Sequence, residues 1–234
     1  IDPVNCPSDN GPDYDYGAGP VISMDSKGRR IILAGDKGGV VTAMLAETGE
    51  SLWKTKVGRG GVVAGINFGL AAYDGKVFVP ISDVPDGRVY DEPARPGVYA
   101  LNVDNGEYVW RAPAGKDVCN GRPGCNPGYS AAISVTEDYV LAGSNEGWLR
   151  AFDINNGQVL WEFDTTDAFT AVDGRTARGG SIGGGQAPLV VGDRLILNSG
   201  YAFAGKMPGN ALLVLRLPPN QAQVAQKSTE RVAK

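Results

Sequence analysis

The sequence predicts an all-β protein of the propeller type. Three observations predict it: a surplus of turn-forming glycine, a phrase that recurs along the chain and closes on tryptophan, and no convincing helical periodicity. Glycine supplies 34 of the 234 residues, many in Asn-Gly, Asp-Gly and Pro-Gly pairs that mark tight turns between short strands. The hydrophobic share of 42% and charged share of 21% are those of an ordinary globular chain with a buried core.

The recurring phrase reads GGVVTAMLAETGESLW up to Trp53, PGVYALNVDNGEYVW up to Trp110 and EGWLRAFDINNGQVLW up to Trp161, and a fourth version, MPGNALLVLRLP, stops early. Each full phrase is a period-2 strand, a turn on Thr-Gly or Asn-Gly, and a second strand, which together read as a β-hairpin. Ahead of each hairpin lies another strand pair: GAGPVIS with RIILAGD, GLAAYDG with KVFVPIS, SAAISVTED with YVLAGSN, and GQAPLVVGD with RLILNSG. Four strands in a unit of about forty to fifty residues are the signature of a propeller blade. The repeated tryptophan reads as an apolar wedge between blades. The glycines of GGSIGGGQ, Gly179 to Gly185, read as a bending loop, because no GK[ST] and no helix follow them.

Residues 1–217 are thus expected to form four four-stranded blades, at most half of a ring. The opening stretch IDPVNCPSDNGPDYDYG reads as loop, so the chain is expected to be the C-terminal half of a larger propeller. The polar residues 218–234 read as a disordered tail.

Charge and composition remove several function classes. A net charge of -4 and a pI near 4.9 lack the cationic surplus that drives nucleic-acid binding. No apolar run approaches the roughly 18 residues of a membrane span. Histidine is absent, which removes Ser-His-Asp chemistry, His-ligated zinc and CxxCH haem attachment. Cys119 and Cys125 close the short loop CNGRPGC, where a local disulfide and two free thiols are both open readings, and Cys6 has no assigned partner. A disulfide favours an oxidising compartment, so a periplasmic or secreted location is expected.

YALNVDNGEYVW and its two companions resemble the tryptophan-docking repeat of the pyrroloquinoline quinone (PQQ) dehydrogenases, whose fold is an eight-bladed propeller; non-catalytic propellers share that repeat. NCPSDNGPDYDYGAGPVI, VGRGGVVAGINFGLAAYDGKVFVPISDV, CNGRPGCNPGYSAAISV and ARGGSIGGGQAPLVVGDRLILNSGYAFAGKMPGNALL together resemble the C-terminal half of polyvinyl alcohol dehydrogenase-like quinoproteins. The resemblance runs from about Asn5 to Leu217 and includes the loops.

It implies specific roles. PDYDYGAGPVI is similar to a Trp-Asp-x-Asp phrase of that family, with Pro12 in place of the tryptophan. Asp13 then inherits the role of general base and metal ligand, and Asp15 that of a second metal ligand. Lys37, in LAGDKGGVVTAM, corresponds to the cation that contacts the quinone oxygens, and Asn67, in GINFGLAAYDG, to a cofactor-contacting asparagine. Arg178 reads either as a cofactor contact through its fork of donors or as a brace for its own loop. Tyr129 and Gln186 are read as tunnel-lining residues near the equivalents of Ala18 and Gly69.

The implied cofactors are PQQ and calcium or a lanthanide. The implied partners are a small or polymeric alcohol, a cytochrome c-type electron acceptor and the remaining blades. A carboxylate within hydrogen-bond reach of an alcohol is a suitable base, and a cation near the quinone stabilises developing charge. The bland alternatives are a solvated Asp-x-Asp turn, a surface lysine, and a non-catalytic propeller that binds protein or glycan.

Overall fold

The computed structural model describes residues 11–115 and 118–216; Cys6 and the segment 218–234 lie outside them. Seventeen strands, all paired antiparallel, form the described residues' sheets. The first sheet is β1 (Val21–Met24), β2 (Arg30–Gly35), β3 (Val40–Leu45) and β4 (Ser51–Lys56); the second is β5 (Ala71–Tyr73), β6 (Lys76–Ile81), β7 (Gly97–Asn102) and β8 (Tyr108–Pro113). The third is β9 (Ser134–Val135), β10 (Tyr139–Gly143), β11 (Trp148–Asp153) and β12 (Val159–Asp164). A hairpin of β13 (Ala168–Thr170) and β14 (Thr176–Arg178) follows, and the last sheet is β15 (Leu189–Val191), β16 (Arg194–Ser199) and β17 (Ala211–Arg216).

Each sheet is a meander whose strands pair in sequence order, as propeller blades do. The three full phrases give four-stranded blades, and the phrase that stops early gives a three-stranded sheet among the described residues. The β13–β14 hairpin has no counterpart in the repeat; its turn is the Asp173-Gly174 pair, with Gly174 at φ 81°.

The core lies between blades. Strand alternation sends Tyr99 and Leu101 of β7 into one apolar cluster, with Ile31, Leu33, Val41, Val77 and Val79, and sends Val98 and Ala100 into the next, with Val140, Ala142 and Phe152. Leu141 and Leu149 then meet Leu195, Leu197 and Leu213 in a third cluster. Both faces of each internal blade are thus covered, which explains why its middle strands read as nearly continuous apolar runs.

The tryptophans lock this stacking. Trp53 donates its indole N–H to the Val103 carbonyl at 2.8 Å, and Trp110 donates to the Ile154 carbonyl at 3.0 Å. Each ring lies on the turn glycine of the next blade's hairpin: a Cβ built on Gly106 would sit 2.5 Å from Trp53, and one on Gly157 would sit 2.6 Å from Trp110. Trp161 differs: it is 41% exposed and stacks on Phe163 at 6.0 Å. Gly49, the matching glycine of blade 1, has nothing within 4 Å of a built Cβ.

Alternating strand direction divides the connections between two ends. The links 25–29, 46–50, 74–75, 103–107, 136–138, 154–158 and 192–193 are short turns at one end. The other end carries every long link, 57–70, 82–96, 114–133, 165–188 and 200–210, together with the turns 36–39 and 144–147. All the sequence-predicted site residues belong to that long-loop end. No helix among the described residues is long and apolar enough to cross a membrane.

Candidate active site at the long-loop end

Asp13, Asp15 and Lys37 meet at the entrance to β1. The turn that carries Lys37 is closed by Gly39 N–H on the Asp36 carbonyl and by Val40 N–H on Asp36 Oδ1, both at 3.0 Å. Lys37 then donates its backbone N–H to the Asp15 carbonyl at 3.0 Å, and its own carbonyl accepts from Gly61 at 3.1 Å. The turn is therefore held between the segment before β1 and the loop 57–70. Lys37 Nζ lies 2.5 Å from Asp15 Oδ1 and 4.0 Å from Asp13 Oδ2.

The lysine side chain is 22% exposed, whereas Asp13 and Asp15 are 64% and 55% exposed. Ion pairs this open contribute about 0–1 kcal/mol to stability. Fold stability alone gives little reason to gather them. Asp13 itself adopts φ 59°, a left-handed conformation that an aspartate tolerates better than most residues.

Asn67 stands beside this group. Its backbone carbonyl abuts Gly17, where a built Cβ would approach to 2.8 Å, so only glycine there lets the two segments touch. Its Nδ2 donates to the Ala64 carbonyl at 3.1 Å, while its buried Oδ1 has no hydrogen-bond partner. A buried acceptor without a donor is unfavourable, and the backbone of the same residue meets Gly17, two residues after Asp15.

Asp83 organises the loop and carries no sequence signal that singled it out. Its buried carboxylate accepts four backbone N–H groups: Arg59 at 2.6 Å and Arg95 at 2.8 Å on Oδ2, Gly60 at 3.1 Å and Gly65 at 3.2 Å on Oδ1. Links 57–70 and 82–96 are thereby tied together. Arg59 also lies over the Tyr90 ring at 4.1 Å, and the Tyr90 hydroxyl donates to Asp86 at 2.6 Å. Burial first, then the Asp86 carboxylate, push the Tyr90 phenol up to about 12, with Tyr14 near enough to add to the effect. Tyr14 in turn packs on Gly38, so aromatic side chains flank the acids.

Other predicted residues stand elsewhere. Arg178 is exposed at the end of β14; its backbone N–H and carbonyl pair with Asn210 at 2.9 and 2.8 Å, and no contact links its side chain to Asp13, Lys37 or Asn67 among the described residues. Tyr129 is buried between blades 2 and 3, edge-on to Phe152, and its hydroxyl accepts from Arg150 at 2.8 Å. Ala132 is the residue packed against Gly69. Gln186 is exposed. The Cys119–Cys125 disulfide is formed.

For a hard cation, Asp13 and Asp15 supply only part of the roughly six to eight oxygens that calcium takes, and the Lys37 ammonium already occupies Asp15. No cluster of three or more His, Cys, Asp or Glu side chains suited to a metal occurs among the described residues. These residues do not by themselves make a metal site, and no step below runs through a metal. An organic acceptor fits better, since Lys37 offers a donor, Asn67 Oδ1 an unused acceptor and Asp13 an open carboxylate.

Comparison with known proteins agrees with this fold. The PQQ-repeat family model described as outer membrane protein assembly factor BamB matches residues 15–202. A polyvinylalcohol dehydrogenase of Pseudomonas sp. is 38% identical over 211 residues, covering 89% of this chain and 32% of that protein. One from Sphingopyxis sp. (strain 113P3) is 36% identical over 204 residues, covering 85% and 31%. The chain thus spans about a third of the length of these relatives. Among solved structures, BamB from Moraxella catarrhalis superimposes with a TM-score of 0.52 at 19% identity, over 78% of this chain and 46% of that one, a likeness of fold.

Proposed function

The chain belongs to the PQQ-repeat family described as outer membrane protein assembly factor BamB, and from that premise we propose that it is the C-terminal part of a PQQ-dependent alcohol dehydrogenase of the polyvinyl alcohol dehydrogenase type. The observation that carries this reading is the meeting of Lys37, Asp13 and Asp15 at the long-loop end, where the adjoining loop carries the unpartnered Asn67 Oδ1. The similarity to the two polyvinylalcohol dehydrogenases supports it.

PQQ, when bound, supplies an electrophilic ortho-quinone that takes up hydride. The chain's residues divide the remaining work. Asp15 accepts the short ion pair and keeps the lysine in place, while Asp13, 4.0 Å from Nζ, stays open to receive the alcohol's hydroxyl proton as general base. The Lys37 ammonium, less exposed than either acid, presents positive charge where negative charge develops. Asn67 Oδ1 receives a donor from the bound group or the alcohol, and Asp83 positions that loop. Arg178 contacts the cofactor only if the remaining blades bring the two together.

The reading places the protein in the periplasm or outside the cell, with the remaining blades closing the ring and a cytochrome c-type acceptor taking the electrons. Calcium or a lanthanide would draw its other ligands from those blades. The test is alcohol-dependent dye reduction in a PQQ-loaded protein containing the whole ring. Asp13→Asn is expected to lower kcat by about 10²–10⁴-fold with PQQ still bound, and an unchanged rate would overturn the base assignment. The second reading, a non-catalytic protein-binding propeller, is favoured by the family description and by the fold likeness to BamB; it predicts no PQQ binding.

A further inference from the structure

The described residues contain three Asn-Gly pairs, Asn105-Gly106, Asn120-Gly121 and Asn156-Gly157. Asparagine is a thermolabile residue, and glycine after it exposes the amide most, because no side chain hinders the approach of the glycine nitrogen to the preceding Cγ. The approach needs a glycine N–H that is not already engaged, an asparagine side chain that is not held, and room beside the backbone for a cyclic imide.

Two of the pairs are closed to it. Gly106 N–H donates to the Asn102 carbonyl and Gly157 N–H to the Asp153 carbonyl, both at 2.9 Å. Asn105 Oδ1 accepts from Glu107 N–H at 3.0 Å and its Nδ2 donates to Glu107 Oε2 at 2.8 Å, while Asn156 Oδ1 accepts from Gln158 N–H at 2.8 Å. Both glycines also lie under an indole, Gly106 under Trp53 and Gly157 under Trp110.

Asn120-Gly121 differs on every count. It is the centre of a β-turn closed by Arg122 N–H on the Cys119 carbonyl at 3.0 Å, with Asn120 at φ 50° and Gly121 at φ 74°, the two positive values that a type I′ turn requires. No acceptor takes the Gly121 N–H among the described residues. The Asn120 side chain makes one long contact, Nδ2 to the Val118 carbonyl at 3.4 Å. Both residues are exposed, and a Cβ built on Gly121 meets nothing within 4 Å.

We propose that Asn120 is a deamidation site, and that the fold directs the reaction there ahead of Asn105 and Asn156. The Gly121 nitrogen gives its proton to hydroxide and attacks Asn120 Cγ; the new C–N bond forms as the Cγ–Nδ2 bond breaks, and ammonia leaves after taking a proton from water. Water then opens the imide at either carbonyl, giving aspartate or, when the main-chain carbonyl is cleaved, isoaspartate. No electrons are transferred. The product places a carboxylate two residues from Arg122, and the isoaspartyl form adds a methylene to the backbone of the loop that Cys119–Cys125 closes. That loop packs on the link 200–210, where a Cβ on Gly124 would lie 2.5 Å from the Gly205 carbonyl oxygen, so the altered turn adjoins a junction of two long links. The site stands whether or not the dehydrogenase reading holds.

The test incubates the purified chain, disulfide intact, at mildly alkaline pH and follows each Asn-Gly peptide by mass spectrometry, with isoaspartate read by methyl transfer from a protein isoaspartyl methyltransferase. In the folded chain Asn120 is expected to convert at least about tenfold faster than Asn105 or Asn156, the advantage of having no glycine N–H or Oδ1 hydrogen bond to break. In concentrated urea the three pairs should convert at similar rates, because the protecting contacts are gone. Asn120→Gln should remove the methyl acceptance of its peptide and leave the other two unchanged. Conversion at Asn105 or Asn156 as fast as at Asn120 in the folded chain, an inert Asn120 in a folded chain that converts once unfolded, or the same preference persisting in urea would overturn the proposal.

Discussion

Lys37 touches Asp15 twice, through its backbone N–H on the Asp15 carbonyl at 3.0 Å and through Nζ on Oδ1 at 2.5 Å. The backbone contact fixes where the turn sits, and the ammonium contact decides which acid is neutralised. Asp13 is left as the more available carboxylate. Lys37→Met should therefore change stability by no more than about 1 kcal/mol in urea unfolding, while lowering dye reduction far more in a PQQ-loaded ring. A large stability loss with normal turnover would reverse this assignment.

Asp83→Ala should be costly although Asp83 touches no proposed substrate. Four backbone N–H groups lose their acceptor, and an unsatisfied buried donor costs about 1–3 kcal/mol. Rearrangement and water recover part of that, so a net loss of about 3 kcal/mol is expected in denaturant titration. Hydrogen exchange should accelerate first at residues 59, 60, 65 and 95.

The tryptophans are not interchangeable. Trp53→Ala and Trp110→Ala each remove an interlocked aromatic and should destabilise by about 3–5 kcal/mol, whereas the exposed Trp161→Ala should cost well under half as much. Gly106→Ala should likewise exceed Gly49→Ala. Both glycines sit at φ near 72–73°, but only Gly106 lies under a ring.

Asp36 gives a pH signature. Burial, the largest influence, raises its carboxyl above 3.8 despite the Val40 hydrogen bond. The folded state then binds the proton more tightly than the unfolded chain, so this group's stabilising contribution is present below the unfolded pKa and is lost as pH rises through the folded value. Asp36→Asn removes that dependence. The stability of the variant relative to the parent should increase as pH rises from about 3 through the raised pKa and then level off, as followed by urea midpoints.

Reduction of Cys119–Cys125 should destabilise the protein by about 2 kcal/mol, the loop-entropy expectation for so short a bridge. Thermal unfolding with and without reductant measures it. The local effect should fall on residues 203–207, because Gly124 packs there.

The blades were legible because both of their signals are local: period-2 alternation and a turn glycine followed by tryptophan. The β13–β14 hairpin was not, since Ala168–Thr170 and Thr176–Arg178 are too short to show alternation. Lys37 and Asp15 were found through motif resemblance, and backbone contacts bring them together. Asp83 was missed because its importance lies in four N–H groups, which the sequence leaves unmarked.

The vacant face at Gly49 gives the stack a direction. The first two boundaries are each made by an indole, Trp53 or Trp110, projecting from the earlier blade onto the turn glycine of the later one, so these blades join with a polarity, like links that hook only one way. The open space over Gly49 would admit an aromatic ring of the same kind from an adjoining blade.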